Sequence, residues 1–319
     1  MHPLSRLLIT AFTSLSLTST AAHAAPIEVA ASFSILGDLV RQVGGERVVV
    51  HTLVGPDEDA HAFQPRPSDT RRIGSAKVVV VNGLGFDDWM TRLARSGGYT
   101  GTVVIASKGV NTIGMTDDHD HGHGHDHKHD KHGGGIDPHA WQDVGNAQRY
   151  VTNIAEALIA TDPAGAGYYR ANAERYSGEL KALDTEIRQA LDALPKASRR
   201  VVSSHDAFGY FGHAYGLQFL SPVGVSNNSE PTAQGVARLI RQLRKEKVPA
   251  VFIENVADPR LIERIRAESG ATVGGTLYSD ALSAADGPAP DYAAMMRHNL
   301  HTLMTALVAG APPAVPPAR

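Results

Sequence analysis

The sequence predicts an α/β protein of two lobes, each a mostly parallel sheet flanked by helices, joined by one long linking helix. Three observations predict it. Short apolar runs alternate with segments of helical spacing from Ile27 to Ala106; one amphipathic stretch then runs from about Pro163 to Leu194; and a second alternating series begins at Arg199. Such alternation is the rhythm of parallel strands joined by helical crossovers.

The opening residues stand apart from this pattern. Arg6 gives a basic start, Leu7 to Leu17 a modestly apolar core, and Ala22-His23-Ala24 a small-x-small site ahead of Ala25-Pro26. This reads as a secretory signal cut after Ala24, too short and too rich in Ser and Thr to span a membrane. The sequence contains 0 cysteines, so neither a lipid-modified cysteine nor a disulfide is expected. A soluble, monomeric periplasmic protein without a lipid anchor is the expectation.

Beyond the signal, Ile27–Ala31 reads as a strand, and Ile35, Leu36, Leu39, Val40 and Val43 mark a helix stopped by Gly44-Gly45. Arg47–Val54 and Lys77–Val81 are the next strands, the second an unbroken apolar run that suits burial on both faces. Phe86, Trp89, Met90 and Leu93 mark a helix closed by Gly97-Gly98, and Thr102–Ala106 is strand again. Val151, Ile154 and Leu158 follow on one helix. The long helix places Tyr169, Ala173, Tyr176, Leu180, Leu183, Ile187, Leu191 and Leu194 at steps of four and three, and Pro195 ends it. In the second series Arg199–Ser204, Leu217–Leu220, Ala250–Glu254 and Thr272–Leu277 are strands. Helices carry Val236, Leu239, Ile240 and Leu243, then Leu261, Ile262 and Ile265 behind an Asp258-Pro259 cap, and finally Tyr292–Val308. The expected division is a signal peptide over 1–24, an N-terminal lobe over 25–160 with a His-rich loop at 117–135, the linking helix over 161–196, and a C-terminal lobe over 197–319.

Composition bounds the partners. A hydrophobic share of 42% suits a globular core, and a net charge of −3 gives no attraction to nucleic acid or to an acidic membrane surface. No segment beyond the signal approaches the length of an apolar membrane span, so transport across a membrane would need another chain to cross it.

The chemistry lies in histidines. His119, His121, His123, His125, His127, His129 and His132 alternate with Asp, Gly and Lys in a run with no apolar residue, which predicts a solvated loop able to take up metal weakly. Outside it, His61 lies in the loop after the strand ending at Val54, His139 follows the His-rich run, His205 follows VVSS, and Asp280 follows TVGGTLY. Ligands of open α/β sheets gather at the carboxyl ends of strands. Three imidazoles and a carboxylate suit tetrahedral zinc. Each residue also has an ordinary reading: a loop histidine at the surface, or Asp280 as a helix cap. His51 alternates with valines and suits sheet-face packing, whereas His213, His298 and His301 lie in helical segments as structural or exposed residues. Trp141 and Phe208 flank two of the candidates and suit walls that exclude water.

The motifs VAASFSILGDLVRQVGG, VGPDEDAHAFQPRPSD, VVVVNGLGFDDWM, DPHAWQD, SSHDAFGYF, EPTAQGVARLIRQL, VFIEN and LYSDAL occur in this order. In them the chain resembles the solute-binding proteins of zinc and manganese ABC importers, the metal-binding cluster A-I type, on its zinc branch. The resemblance implies two lobes with one metal between them, held by His61, His139, His205 and Asp280. It also implies a membrane ABC permease as partner, with a periplasmic metallochaperone as a second candidate. Members resembling manganese carriers have glutamate at the third ligand position, where this chain has His205; the added imidazole favours Zn²⁺ as cargo over Mn²⁺. The DEDA segment before His61 is unusually acidic, which leaves Glu58 or Asp59 as alternatives to Asp280 for the oxygen ligand. No zinc-hydrolase motif H-E-x-x-H is present, so a hydrolase is the weaker reading, as is a metal buffer or adhesin without a transport partner.

Overall fold

The computed structural model describes residues 25–115, 135–226, 231–248 and 250–309. The expected signal peptide and all seven histidines of the His-rich run lie outside the described residues.

The first sheet comprises β1 (Ile27–Phe33), β2 (Val48–Val54), β3 (Val78–Val81) and β4 (Thr102–Ile105), in the order β2-β1-β3-β4 and parallel throughout. All of Val78–Val81 is buried, which explains the uninterrupted valines: β3 is central and covered on both faces. The second sheet repeats the scheme with β5 (Arg200–Val202), β6 (Gln218–Leu220), β7 (Ala250–Glu254) and β8 (Thr272–Leu277), ordered β6-β5-β7-β8. Parallel pairing sends the carboxyl ends of neighbouring strands to the same edge, so the loops that follow them cluster.

Nine α-helices occur among the described residues: α1 (Ser34–Gly44), α2 (Pro67–Ser75), α3 (Asp88–Ser96), α4 (Val144–Thr161), α5 (Ala166–Asp192), α6 (Gly209–Tyr215), α7 (Ala233–Glu246), α8 (Pro259–Ser269) and α9 (Tyr292–Ala309). The apolar spacing did not mark α2, because only Asp69 and Ile73 are buried along it. Local chemistry forms it instead: Pro67 occupies the first turn, and the Asp69 carboxylate accepts the Arg66 backbone N–H at 2.8 Å. The α8 cap is as the sequence suggests, with Asp258 accepting the Arg260 N–H at 3.0 Å.

The linking helix is shorter than the expected 161–196. Asp162 ends α4 and accepts the Gly165 N–H at the 3-10 turn Pro163–Gly165, and α5 proper covers 27 residues, about 40 Å of rise. It touches both halves. Asn172 donates to the Val43 carbonyl at 3.1 Å, while Arg188 donates to the Ala214 carbonyl at 2.6 Å and the Tyr215 hydroxyl donates to Asp184 at 3.0 Å. One apolar core runs through both lobes, joining Leu36 and Leu39 of α1 to Leu180, Leu183 and Ile187 of α5, Phe211 of α6 and Leu303 of α9. Truncating any of these fully buried leucines to alanine is expected to cost ~2–5 kcal/mol. A shared core of this kind opposes wide separation of the lobes. Among the described residues, no helix is long and apolar enough to cross a membrane.

Candidate metal centre

His61, His139, His205 and Asp280 meet at the junction of the two sheets, and each offers one donor atom such that all four lie within 4.8 Å of one another. His61 Nε2 is 3.4 Å from His139 Nε2 and 3.4 Å from Asp280 Oδ2; His205 Nε2 is 3.1 Å from Asp280 Oδ2, and His139 Nε2 is 3.6 Å from Asp280 Oδ1. A tetrahedral zinc with bonds of ~2.0–2.1 Å separates its ligand atoms by about 3.3–3.4 Å. The four separations of 3.1–3.6 Å match that spacing, and donor pairs as far apart as 4.8 Å would need only a small inward shift to share one ion. Three of the side chains are 0% exposed, and His61 retains 8%.

Two further carboxylates orient the rings from behind. Asp137 Oδ1 accepts the His139 backbone N–H at 2.9 Å and lies 2.8 Å from Nδ1, turning Nε2 toward the centre. Glu254, the last residue of β7, accepts the His205 backbone N–H at 2.9 Å and places its other oxygen 2.6 Å from Nδ1. Outer carboxylates of this kind fix the tautomer and raise the basicity of a metal-binding imidazole. The order β5-β7 makes the second contact, since His205 and Glu254 follow and end adjacent strands.

The charges respond strongly to this crowding. Burial works against a charged His205 ring, but the Glu254 and Asp280 carboxylates outweigh it and hold its pKa well above the usual value. Burial likewise disfavours ionised Asp280, yet His205 and His139 pull its pKa well below the carboxylate range. Both Asp280 oxygens and His205 Nε2 are buried without a well-directed hydrogen bond. Such atoms cost about 1–3 kcal/mol each when left so. A divalent cation at the common centre would engage His205 Nε2 and one Asp280 oxygen at once.

A strained turn supplies the wall. Gly83, Leu84 and Gly85 have φ of +81°, +56° and +84°, which lets the chain double back directly after β3. Asp87 ties the turn down by accepting the Asn82 N–H at 2.6 Å, the Gly83 N–H at 3.0 Å and the Ser32 hydroxyl at 2.5 Å. Full burial pushes its pKa up to about 6 against those donors. Phe86 is therefore held in the turn rather than on α3. Its ring lies 4.6 Å from His61 and 5.9 Å from His139.

The remaining candidates fall into place one by one, and Phe208 alone departs from its expected role. The carboxylate that converges with the imidazoles is Asp280; Asp59 instead accepts the His61 backbone N–H at 2.8 Å, and Glu58 accepts the Gly55 N–H at 2.7 Å. Trp141 does line the centre, 5.3 Å from His139, and donates to the Ser279 carbonyl at 2.9 Å. Phe208 stacks on Phe219 at 4.8 Å, so the water-excluding role falls to Phe86. His51 pairs with Glu28 on the sheet face, His213 and His301 are exposed, and His298 meets the Thr276 carbonyl at 3.0 Å. Three residues of the site, Phe86, Asp137 and Glu254, escaped recognition in the sequence. Their signals were a G-x-G turn at a strand end, an aspartate two residues before His139, and a lone acid closing an apolar strand.

The chain matches the family described as "ZnuA: Zinc-uptake complex component A periplasmic" over residues 29–306. It is 32% identical over 290 residues to the manganese-binding lipoprotein MntA of Halalkalibacterium halodurans, covering 91% of each chain. It is 27% identical to the manganese ABC transporter substrate-binding lipoprotein PsaA of Streptococcus pneumoniae, over 91% of this chain and 92% of that one. Its fold superposes on the periplasmic zinc binding protein TroA of Treponema pallidum with a TM-score of 0.80 at 26% identity, covering 88% of this chain and 99% of that one. These proteins are binding components rather than enzymes, which sets the hydrolase reading aside. With four donors converging between two parallel-sheet lobes and a family match across nearly all the described fold, this chain belongs to the ZnuA family of extracytoplasmic metal-binding proteins that serve ABC importers.

Proposed function

We propose that the protein captures Zn²⁺ in the periplasm through His61, His139, His205 and Asp280 and delivers it to a membrane ABC permease. The observation that carries this reading is the donor set: three nitrogens and one oxygen, nearly closed to solvent and all within 4.8 Å of one another, a set that suits one tetrahedral zinc. The relatives' names point to manganese as well as zinc, so the choice of metal rests on chemistry. Mn²⁺ prefers oxygen donors and stands lowest in the affinity series, whereas Zn²⁺ gains most from the third imidazole, His205.

The N-terminal segment acts as a cleaved signal, and the absence of cysteine favours a soluble carrier over the lipoprotein form that two relatives carry in their names. The histidines from His119 to His132 serve as a weak antenna that raises zinc near the tight site. The test is metal content and affinity of purified wild type and His205→Ala, with zinc and manganese in competition. One tightly held zinc in wild type, and loss of zinc preference in the variant, is the expected outcome; a wild type that prefers manganese under competition sinks the zinc reading. Growth in chelated medium adds the transport arm, since a deletion strain short of a carrier starves for zinc and one short of a buffer does not.

A further inference from the structure

We infer that Asp57 is a positioning residue, an interlobe latch that holds the His61 loop against the segments bearing Asp280 and His205 and thereby sets how long the metal stays. This deepens the zinc reading and rests on it. Asp57 lies four residues before His61, in the loop leaving β2, yet its backbone N–H and both of its carboxylate oxygens bond to the other lobe. The N–H donates to the Leu282 carbonyl at 2.9 Å. Its Oδ1 accepts from Asn255 Nδ2 at 3.0 Å, and its Oδ2 accepts the Ala284 N–H at 3.3 Å.

Those partners are placed with respect to the metal donors. Leu282 and Ala284 follow Asp280 closely in sequence, and Asn255 follows Glu254, the carboxylate behind His205. Asn255 Nδ2 also donates to the Ala281 carbonyl at 3.3 Å, so one amide ties the Asp280 loop, the end of β7 and Asp57 together. The Leu282 N–H in turn donates to Ser34 Oγ at 2.9 Å, a second stitch from the same loop to the N-terminal lobe. Three of the four donors are thus linked through a residue that is not itself a donor.

The backbone of Asp57 makes the link conditional. Its φ is +54°, in the left-handed region that favours glycine and that aspartate tolerates better than most residues. A position chosen for backbone comfort alone would be glycine. The side chain is what glycine lacks, and it is the side chain that reaches Asn255 and Ala284. Removing it frees the His61 loop to withdraw while the buried half of the centre, with Asp137 and Glu254 in place, stays assembled. Asp57 therefore governs dissociation more than association.

The test compares wild type with Asp57→Ala, Asp57→Gly, Asp57→Asn and Asn255→Ala, each loaded with one equivalent of zinc. Release is followed by stopped flow into excess EDTA, and association by mixing with free zinc. Asp57→Gly and Asp57→Ala are expected to release zinc at least about tenfold faster with association little changed, as loss of charge-assisted hydrogen bonds implies. Asp57→Asn, which keeps the Oδ1 acceptor and tolerates the backbone, recovers part of the loss. Asn255→Ala leaves the Asp57 backbone untouched and accelerates release alike, which keeps the test decisive if an Asp57 variant does not fold. Wild-type release from Asp57→Gly or Asn255→Ala, with one zinc still bound, overturns the latch. A wild type that binds no zinc overturns the functional reading beneath it instead.

Discussion

Glu254 Oε2 lies 2.6 Å from His205 Nδ1 with both side chains fully shut off from solvent, so the third imidazole of the centre is backed by a carboxylate from the neighbouring strand. The pair gives the ring its orientation and, without metal, its charge. Glu254→Ala is expected to weaken zinc binding by ~10–100-fold without unfolding the protein, the range typical for removing an outer carboxylate. Competition against a chelating dye measures it. Unchanged affinity in that variant means the ring needs no backing.

Acidity should act on binding and on folding in opposite ways. Burial disfavours the charged ring, but Glu254 and Asp280 hold His205 protonated above its usual range, so zinc must expel a proton. Affinity therefore climbs with pH until the raised pKa is passed, and titration calorimetry in buffers of different ionisation enthalpy should find about one proton released per zinc at neutral pH. The metal-free protein behaves otherwise. The raised His205 pKa contributes stability that is full below ~6.5 and is lost as pH climbs through the folded value. The lowered Asp280 pKa contributes stability present above its unfolded value of 3.8 and lost as pH falls through the folded one. Their contributions overlap between those limits, and urea unfolding of metal-free protein across pH locates the window. A flat profile contradicts the charge pairing.

Asp87 supplies a separate pH signature. Burial lifts its pKa from 3.8 to about 6, so the folded state binds this proton more tightly than the unfolded chain does. The stability penalty from this group grows as pH rises from 3.8 to about 6 and is constant above. Asp87→Asn cannot titrate, and its stability should fall less than wild type over that interval. It also loses one acceptor for the Asn82 and Gly83 N–H groups, so Phe86 is held less firmly and metal release quickens. Parallel unfolding profiles for the two proteins would contradict the assignment.

Deleting His119–His132 should slow zinc loading from dilute solution while leaving the affinity of the buried centre unchanged. Stopped-flow loading together with equilibrium competition separates the two. Loss of tight binding in the deletion would show that the run belongs to the centre itself.

Much of this was legible in the residues. The valines of β3 announce a strand covered on both faces, and Val236, Leu239, Ile240 and Leu243 announce one helical face; both are local patterns set by burial. The helix α2 was not, because a proline and a reciprocal cap form it with almost no apolar face. The break between α4 and α5 is legible, but Pro163 reads as the start of the long helix whereas it opens a 3-10 turn capped by Asp162, and α5 begins at Ala166.

Taken alone, the residues determined the alternation of strands and helices, the position of His61, His205 and Asp280 beyond strand ends, and the scarcity of any ligand other than imidazole and carboxylate. Those follow from periodicities of a few residues and from side-chain chemistry. Only the folded chain decided that Glu254 stands behind His205, that Phe86 rather than Phe208 walls the centre, and that Asp57 grips Asn255 across 198 positions of sequence. Strand order and the packing of two sheets about one core fix such meetings, and no local pattern encodes which distant loops a parallel sheet will bring to the same edge.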